Sequence, residues 1–336
     1  MRQPSDRLET PSSRPGSGPG PGAEPSPSAR KIWVDLLLYP THSLPTAVAP
    51  VLVGLGLAAR DRVLAPIPVL VAFVGSWAIH VAGVFADNHE LLRLHPGLPE
   101  HPELTRAVEE GRLRLSVLAA ATLGLVGLAI LTAPYLYGIG GAPVLWMGAL
   151  GIVASVSYNA GPWAYVRRGV ATEPIFLIMF GVVGEVGTYY IQAAAVHGAP
   201  APWHLLWSLP PAVYLAGLPA GALVTSVMLI DDMRDHEFDS AKGWRTSAVR
   251  RGPSFTRDLI TSLVAFAFLA PLALWAAPGF DAWVLLPLVS APLGYRTVRG
   301  VRAARRRSDL IPMTPRMARL AAVYSALLAL GIALCR

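Results

Sequence analysis

Apolar residues dominate this chain in long unbroken stretches rather than in the two- or four-residue rhythms of an amphipathic surface element. Nine such stretches stand out, at roughly 33–58, 66–91, 114–133, 142–160, 173–196, 207–230, 258–277, 280–297 and 315–334. Runs of about 20 apolar residues are long enough to cross a bilayer as helices. Pro45 and Pro50 interrupt the first of them, which a membrane helix tolerates when its neighbours satisfy the freed backbone groups. The pattern predicts an all-α integral membrane protein of about nine transmembrane helices. Residues 1–29 differ in kind: they are rich in Pro, Ser and Gly and carry no apolar run. They read as a disordered tail ahead of a transmembrane domain over 30–336. The first apolar stretch follows Arg30 and Lys31, so it reads as an uncleaved first span rather than a secretory signal.

Composition sharpens the picture. Only 15% of the 336 residues are charged and 53% are hydrophobic, against about 25% charged in a soluble domain. The net charge of +7 would suggest nucleic acid in a soluble protein. Here the basic residues fall between spans and mark the cytoplasmic side instead. With the N-terminus cytoplasmic, the connections after the second, fourth, sixth and eighth stretches carry Arg93, Arg106, Arg112 and Arg114; Arg167 and Arg168; Arg234, Lys242, Arg245, Arg250 and Arg251; and Arg299, Arg302, Arg305, Arg306 and Arg307. The opposite connections carry Arg60 and Arg62. The richness in Ala, Gly, Pro and Arg points to a high-GC bacterial gene and so to a bacterial cell membrane. Cys335 is the only cysteine, which excludes an intramolecular disulfide and a cysteine-based metal site.

The segment after the sixth stretch carries the chemistry. Asp231, Asp235 and Asp239 recur every four residues, so on a continuous helix they form one stripe. Like charges at that spacing repel unless a cation sits among them. Hard divalent cations, Mg²⁺ in particular, take carboxylate oxygens and complete their shell with water and substrate phosphates. Lys242 and Arg245 follow directly and suit the outer phosphate oxygens. A solvated loop of mixed charge is the alternative for this stretch.

The run Arg234-Asp235-x-Glu237-x-Asp239-x-x-x-Gly243-x-Arg245-Thr246-x-Ala248-Val249 resembles the second acidic motif of the UbiA family of intramembrane prenyltransferases, whose members have nine membrane helices. The stretch from Leu44 to Gly54 is similar to that family's first helix. Tyr158-Asn159-Ala160-Gly161-Pro162 and Gly187-Thr188-Tyr189-Tyr190-Ile191-Gln192 resemble the branch that prenylates 1,4-dihydroxy-2-naphthoate in menaquinone synthesis. The resemblance covers about residues 33–334. It implies a UbiA-like bundle that transfers a prenyl group from an isoprenyl diphosphate to an aromatic acceptor. It also implies Mg²⁺ on Asp235 and Asp239, with Lys242 and Arg245 near the diphosphate.

The family's other acidic motif, Asn-Asp-x-x-Asp, is altered. Its place reads Ala86-Asp87-Asn88-His89-Glu90-Leu91. Asp87 and Glu90, at i and i+3, still share a helix face, and Asn88 offers a neutral oxygen. The expected metal ligands are therefore Asp87, Glu90, Asp231, Asp235 and Asp239. Asn88, Arg234, Lys242, Arg245, Arg167 and Tyr158 are expected to meet substrate. His80, two turns below Asp87, joins Asp87, Asp235 and Asp239 as a catalytic candidate, to orient an acceptor or take a proton. Phe85, Tyr158, Tyr189 and Tyr190 offer aromatic faces for an allylic cation. Glu185, an ionisable group within a span, is a functional candidate by default. A terpene cyclase of the same superfamily stays open as an alternative. So do two readings of other classes, a transporter using Glu185 and His80 and an inactive scaffold.

Overall fold

The computed structural model describes residues 32–33, 43–95, 102–198 and 203–335; the expected tail over 1–29 and the first part of the first stretch lie outside them. The described chain is a helical bundle. Its main helices are α1 (Ser43–Arg60), α2 (Pro66–Leu94), α3 (Leu115–Gly140), α4 (Ala142–Val156), α5 (Thr172–His197), α6 (Pro211–Arg234), α7 (Ser247–Trp275), α8 (Ala291–Ala303) and α9 (Arg307–Leu334).

Six of these, α2, α3, α5, α6, α7 and α9, are long and apolar enough to cross a membrane. The expected nine is therefore not reached among the described residues. α4 has 15 residues and so rises only about 22 Å, short of a hydrocarbon core of about 30 Å. The stretch at 280–297 winds first as a 3-10 helix over Ala282–Ser290, with Pro287 inside it, before α8. Proline removes an N–H donor and obstructs a regular α-helical turn. α7 begins earlier than its apolar stretch, and Gly252 (φ 82°, followed by Pro253) kinks it after the first turns.

α6 is the innermost helix: its most apolar window is 83% buried, against 17% to 50% for the other five. It packs on α5, α7 and α9, while α2 packs on α3 and α9 on α1. Between helices in lipid, close packing and hydrogen bonds hold the bundle, because lipid is as apolar as leucine. Gly221 of α6 meets Gly181 of α5 so closely that a Cβ on Gly221 would lie 2.6 Å from the Gly181 Cα. Gly181 lies in a π-helical turn, Met179–Val183. Such a turn is an insertion often found at functional sites. Tyr190, fully buried, donates its hydroxyl to the Gly140 carbonyl at 2.7 Å and joins α5 to α3. Glu185 is also fully buried and packs against Gly217, off the cavity described below.

Most exposed tryptophans lie toward the end of the bundle away from the acidic motif: Trp146 at the start of α4, Trp203 and Trp207, Trp275 at the end of α7, and Trp283; Trp163, after α4, is exposed at the other end. Tryptophan favours the membrane–water interface, and exposed tryptophans at both ends of the bundle suit helices that end at the two surfaces of a bilayer.

Candidate active site

The C-terminal ends of α2 and α6 both line one cavity of about 630 Å³, and their carboxylates mark its charged end. Asp87 and Ala72 of α2 both line it, about 22 Å apart along the helix axis. The cavity thus runs from a charged mouth through most of the bundle. Below the mouth its wall is apolar. Tyr158, Phe176 and Phe180 form a ladder with centroids 5.5 Å apart at each step, ending in His80, whose ring meets Phe180 edge-on at 5.8 Å.

The stripe of three carboxylates survives a break in the helix. α6 ends at Arg234 and a short helix, His236–Ala241, follows. Yet the Asp235 amide still bonds the Asp231 carbonyl at 2.9 Å, and the Asp239 amide the Asp235 carbonyl at 2.9 Å. The helical spacing therefore carries Asp231, Asp235 and Asp239 onto one wall of the mouth, all three lining the cavity. Their mutual repulsion is offset by cations. Arg234 bridges Asp231 and Asp235, Arg307 bonds Asp235 at 3.2 Å, and Lys242 lies 3.3 Å from Asp239 with its side chain 2% exposed. Thr246 donates to Asp239 at 3.2 Å and Thr314 to Asp231 at 2.8 Å.

Asp87, Asn88, His80, Tyr158, Arg234 and Lys242 also line the cavity. Asn88 is largely buried, and its amide donates to the Val84 carbonyl at 2.8 Å. Glu90, Arg167 and Arg245 are not on the wall. Glu90, expected as a metal ligand, is held by Arg93 at 2.8 Å and by Arg167 at 3.0 Å. Arg167 also donates to the side-chain and main-chain oxygens of Asn159, which in turn donates to Asp87. Arg245 is exposed and contributes its amide, which bonds the Arg167 carbonyl at 2.8 Å. There the chain passes so closely over Gly169 (φ 62°) that a Cβ would fall 1.9 Å from the Arg245 carbonyl oxygen.

Spacing alone missed several groups. Asp232 is 5% exposed, lines the cavity and accepts from the Ser247 amide at 3.2 Å. It sits next to Asp231 but about 100° round the helix from the stripe. Trp244 lines the mouth with Lys242 Nζ 3.8 Å from its ring centroid, Arg167 5.7 Å away and the His95 ring edge-on at 6.1 Å. Asn159, Arg307 and Thr314 are joined to the acidic residues only through contacts between distant segments.

Burial, then the positive charges of Lys242 and Arg167, push His95 below its usual value. Its folded-state value lies below the unfolded one, so the unfolded chain binds the extra proton first. Stability from this residue is present above about pH 6.5 and is lost as pH falls through that window. His95→Gln is expected to leave the thermal midpoint unchanged at neutral pH and to lessen its decline on acidification. Parallel decline in both proteins would disprove the assignment.

Among the described residues no three His, Cys, Asp or Glu groups stand close enough to hold a metal ion as they are. The donor set is nonetheless right for one. Asp87, Asp231, Asp232, Asp235 and Asp239 bring five carboxylates to one mouth, and hard oxygen donors of this kind suit Mg²⁺.

A model of the UbiA prenyltransferase family matches residues 47–320. A Mycobacterium tuberculosis protein named 1,4-dihydroxy-2-naphthoate octaprenyltransferase is 31% identical over 285 residues, covering 81% of this chain and 87% of its own. Its Mycobacterium leprae namesake is 30% identical over 282 residues, 81% and 86% of the two chains. The Escherichia coli protein of that name is 26% identical over 305 residues, 87% and 91%. Among solved structures, a UbiA homologue from Aeropyrum pernix superimposes with a TM-score of 0.64 at 15% identity, over 83% of this chain and 96% of its own. One from Archaeoglobus fulgidus, bound to DMAPP and Mg²⁺, gives 0.53 at 18% identity, over 88% and 98%. These structural likenesses concern the fold.

Proposed function

Because the chain belongs to the UbiA prenyltransferase family, we propose that it transfers a prenyl group from an isoprenyl diphosphate to 1,4-dihydroxy-2-naphthoate, as its bacterial relatives are named for doing. It is an integral membrane prenyltransferase, and the reaction depends on Mg²⁺. The observation that carries the reading is the joining of two chemistries in one cavity. A mouth of carboxylates paired with cations suits a metal-bound diphosphate, and an apolar interior suits an isoprenoid tail. In this reading the family's nine spans are completed by α1, α4 and the 3-10 segment running into α8. The mouth faces the cytoplasm of a bacterial cell, and residues 1–29 form a separate tail.

Asp231, Asp235, Asp239 and Asp87 would hold the Mg²⁺; Glu90, taken by two arginines, is left out of that set. When bound, the metal neutralises charge gathering on the diphosphate as it leaves. Lys242 and Arg234, now paired with Asp239 and Asp235, exchange those carboxylates for phosphate oxygens, to which charge-assisted hydrogen bonds are strong. The faces of Tyr158, Phe176 and Phe180 line the path of the allylic carbon and favour positive charge there. The apolar wall keeps water from the cation. His80, at the foot of the ladder, orients the acceptor or takes the ring proton.

Gly148 of α4 lines the cavity, and a Cβ there would meet nothing within 4 Å. Gly148→Phe therefore fills tail space without a backbone clash. Turnover of geranylgeranyl diphosphate is expected to fall about 10-fold or more while geranyl diphosphate is still used. Equal loss on both donors would remove the tail from this part of the cavity.

The reading is tested by incubating membranes that contain the protein with geranyl diphosphate and Mg²⁺. Three arms receive 1,4-dihydroxy-2-naphthoate, 4-hydroxybenzoate or no acceptor, and products are identified by mass. Prenylated naphthoate is expected. A terpene formed without acceptor would make the chain a cyclase, and prenylated benzoate alone would move the acceptor class.

A further inference from the structure

Buried hydroxyls on the helices of this protein mostly turn back on their own helix. Thr122, Thr188, Thr225, Ser226, Thr256 and Thr297 each donate to the carbonyl four residues earlier. Thr314 in the first turns of α9, 1% exposed, instead reaches 83 residues back along the chain and donates to Asp231 Oδ1 at 2.8 Å. Arg234 bonds the same oxygen. Both protein donors thus fall on one oxygen of a carboxylate that lines the cavity. A carboxylate has two oxygens and about four acceptor sites, so fixing Oδ1 sets the plane of the group and leaves Oδ2 for another ligand. Two turns earlier on α9, with Asp235 Oδ2 taken by Arg234, Arg307 holds Oδ1 of that carboxylate. Its Nε and Nη2 lie 3.3 and 3.2 Å from Oδ1, and its guanidinium lies 5.1 Å over the Phe238 ring.

We propose that the first turns of α9 are a positioning clamp for the prenyl-diphosphate site, in which Thr314 and Arg307 set the Asp231 and Asp235 carboxylates for the divalent cation that accompanies the diphosphate. The proposal rests on the prenyl-transfer reading above. Neither residue touches substrate; each acts through the carboxylate it holds. Partners of this kind, one shell out from a metal ligand, typically change metal affinity 10- to 100-fold when lost. The clamp also explains why the chain's last span must be packed on α6 before the acidic stripe has its final geometry.

The test uses the full chain in detergent. Binding of radiolabelled geranyl diphosphate is followed across a Mg²⁺ titration for the parent, Thr314→Val, Thr314→Ser and Arg307→Gln, with thermal midpoints recorded beside it. Thr314→Val keeps the shape and loses the hydroxyl, so its half-saturating Mg²⁺ is expected to rise about 10-fold at an unchanged midpoint. Thr314→Ser restores the parent value. Arg307→Gln, at a half-exposed position, shows the same rise and carries the test should Thr314→Val fail to fold. Parent-like Mg²⁺ dependence in Thr314→Val, or equal shifts in Val and Ser, overturns the clamp and leaves the prenyl-transfer reading standing. A parent that binds no geranyl diphosphate with Mg²⁺ overturns both.

Discussion

Asp235→Asn is expected to lower Mg²⁺-dependent prenyl transfer by about 100-fold or more, with the bundle still folded. Asp235 is the middle member of the stripe, flanked four residues away on each side by Asp231 and Asp239 on one cavity wall. Its carboxylate receives Arg234 and Arg307, so two cations converge on it in the absence of substrate. The amide has the same shape but no charge, and it is a far poorer ligand for a hard cation. The loss therefore falls on the step in which negative charge gathers on the departing diphosphate, where electrostatic stabilisation contributes most. Asp258 provides the control. It also sits on an arginine, Arg302 at 2.8 Å, but its side chain is 69% exposed and it does not line the cavity. Asp258→Asn is expected to leave turnover within experimental scatter. Rates measured under saturating donor in both variants decide the matter; equal effects would reduce Asp235 to one more surface charge.

Arg167→Met is expected to cost about 2 kcal/mol of stability and to lower transfer by more than that loss explains. Arg167 ties three segments together. Its guanidinium holds Glu90 on α2 and two oxygens of Asn159 after α4, while its main-chain carbonyl, which the substitution keeps, accepts from the Arg245 amide after α6. The guanidinium carbon lies 5.7 Å from the Trp244 ring centroid. Methionine keeps the apolar stem and leaves Asn159 without the partner that orients it toward Asp87. Hydrogen bonds to charged groups contribute about 1.5 to 3 kcal/mol each in net terms; partial exposure of the Glu90 pair, 20% and 12%, argues for the lower part of that range. Lys in place of Arg offers a point charge and no planar fork, so Arg167→Lys is expected to recover the Glu90 contact and not the Asn159 pair. Thermal unfolding and initial rates on the same preparations separate the two effects. Full recovery by lysine would show that charge, and not geometry, matters at this position.

The parts of this structure that were legible in the sequence are those set by local periodicity. Long apolar runs announce α2, α3, α5, α6, α7 and α9, because a span of lipid-facing helix must be apolar nearly all round. The spacing of Asp231, Asp235 and Asp239 places them on one wall because 3.6 residues per turn is a local property; it holds even across the break at Asp235. Hydropathy fails where length or backbone decides. α4 stops at 15 residues, and Pro287 sits in a 3-10 helix inside a stretch whose composition still reads as span. The site was half legible for the same reason. Asp87 and Glu90 do share a face by spacing, yet Arg167, 77 residues away from Glu90, takes Glu90 off the candidate ligand set. Arg307 and Thr314 lie 72 and 83 residues from the carboxylates they hold. No spacing rule reaches that far, because such contacts exist only once α9 is packed on α6. Asp232 was visible as a neighbour of Asp231 but sits off the stripe, on a surface that only the fold identifies as part of the cavity.

The most direct measurement of the central claim is the release of diphosphate by the purified protein, followed with and without Mg²⁺ and with and without 1,4-dihydroxy-2-naphthoate, using geranyl diphosphate as donor. Prenyl transfer predicts release that requires the metal and the acceptor together, in step with prenylated product. Release that proceeds equally without the acceptor, or no release in folded protein under any of these conditions, contradicts it.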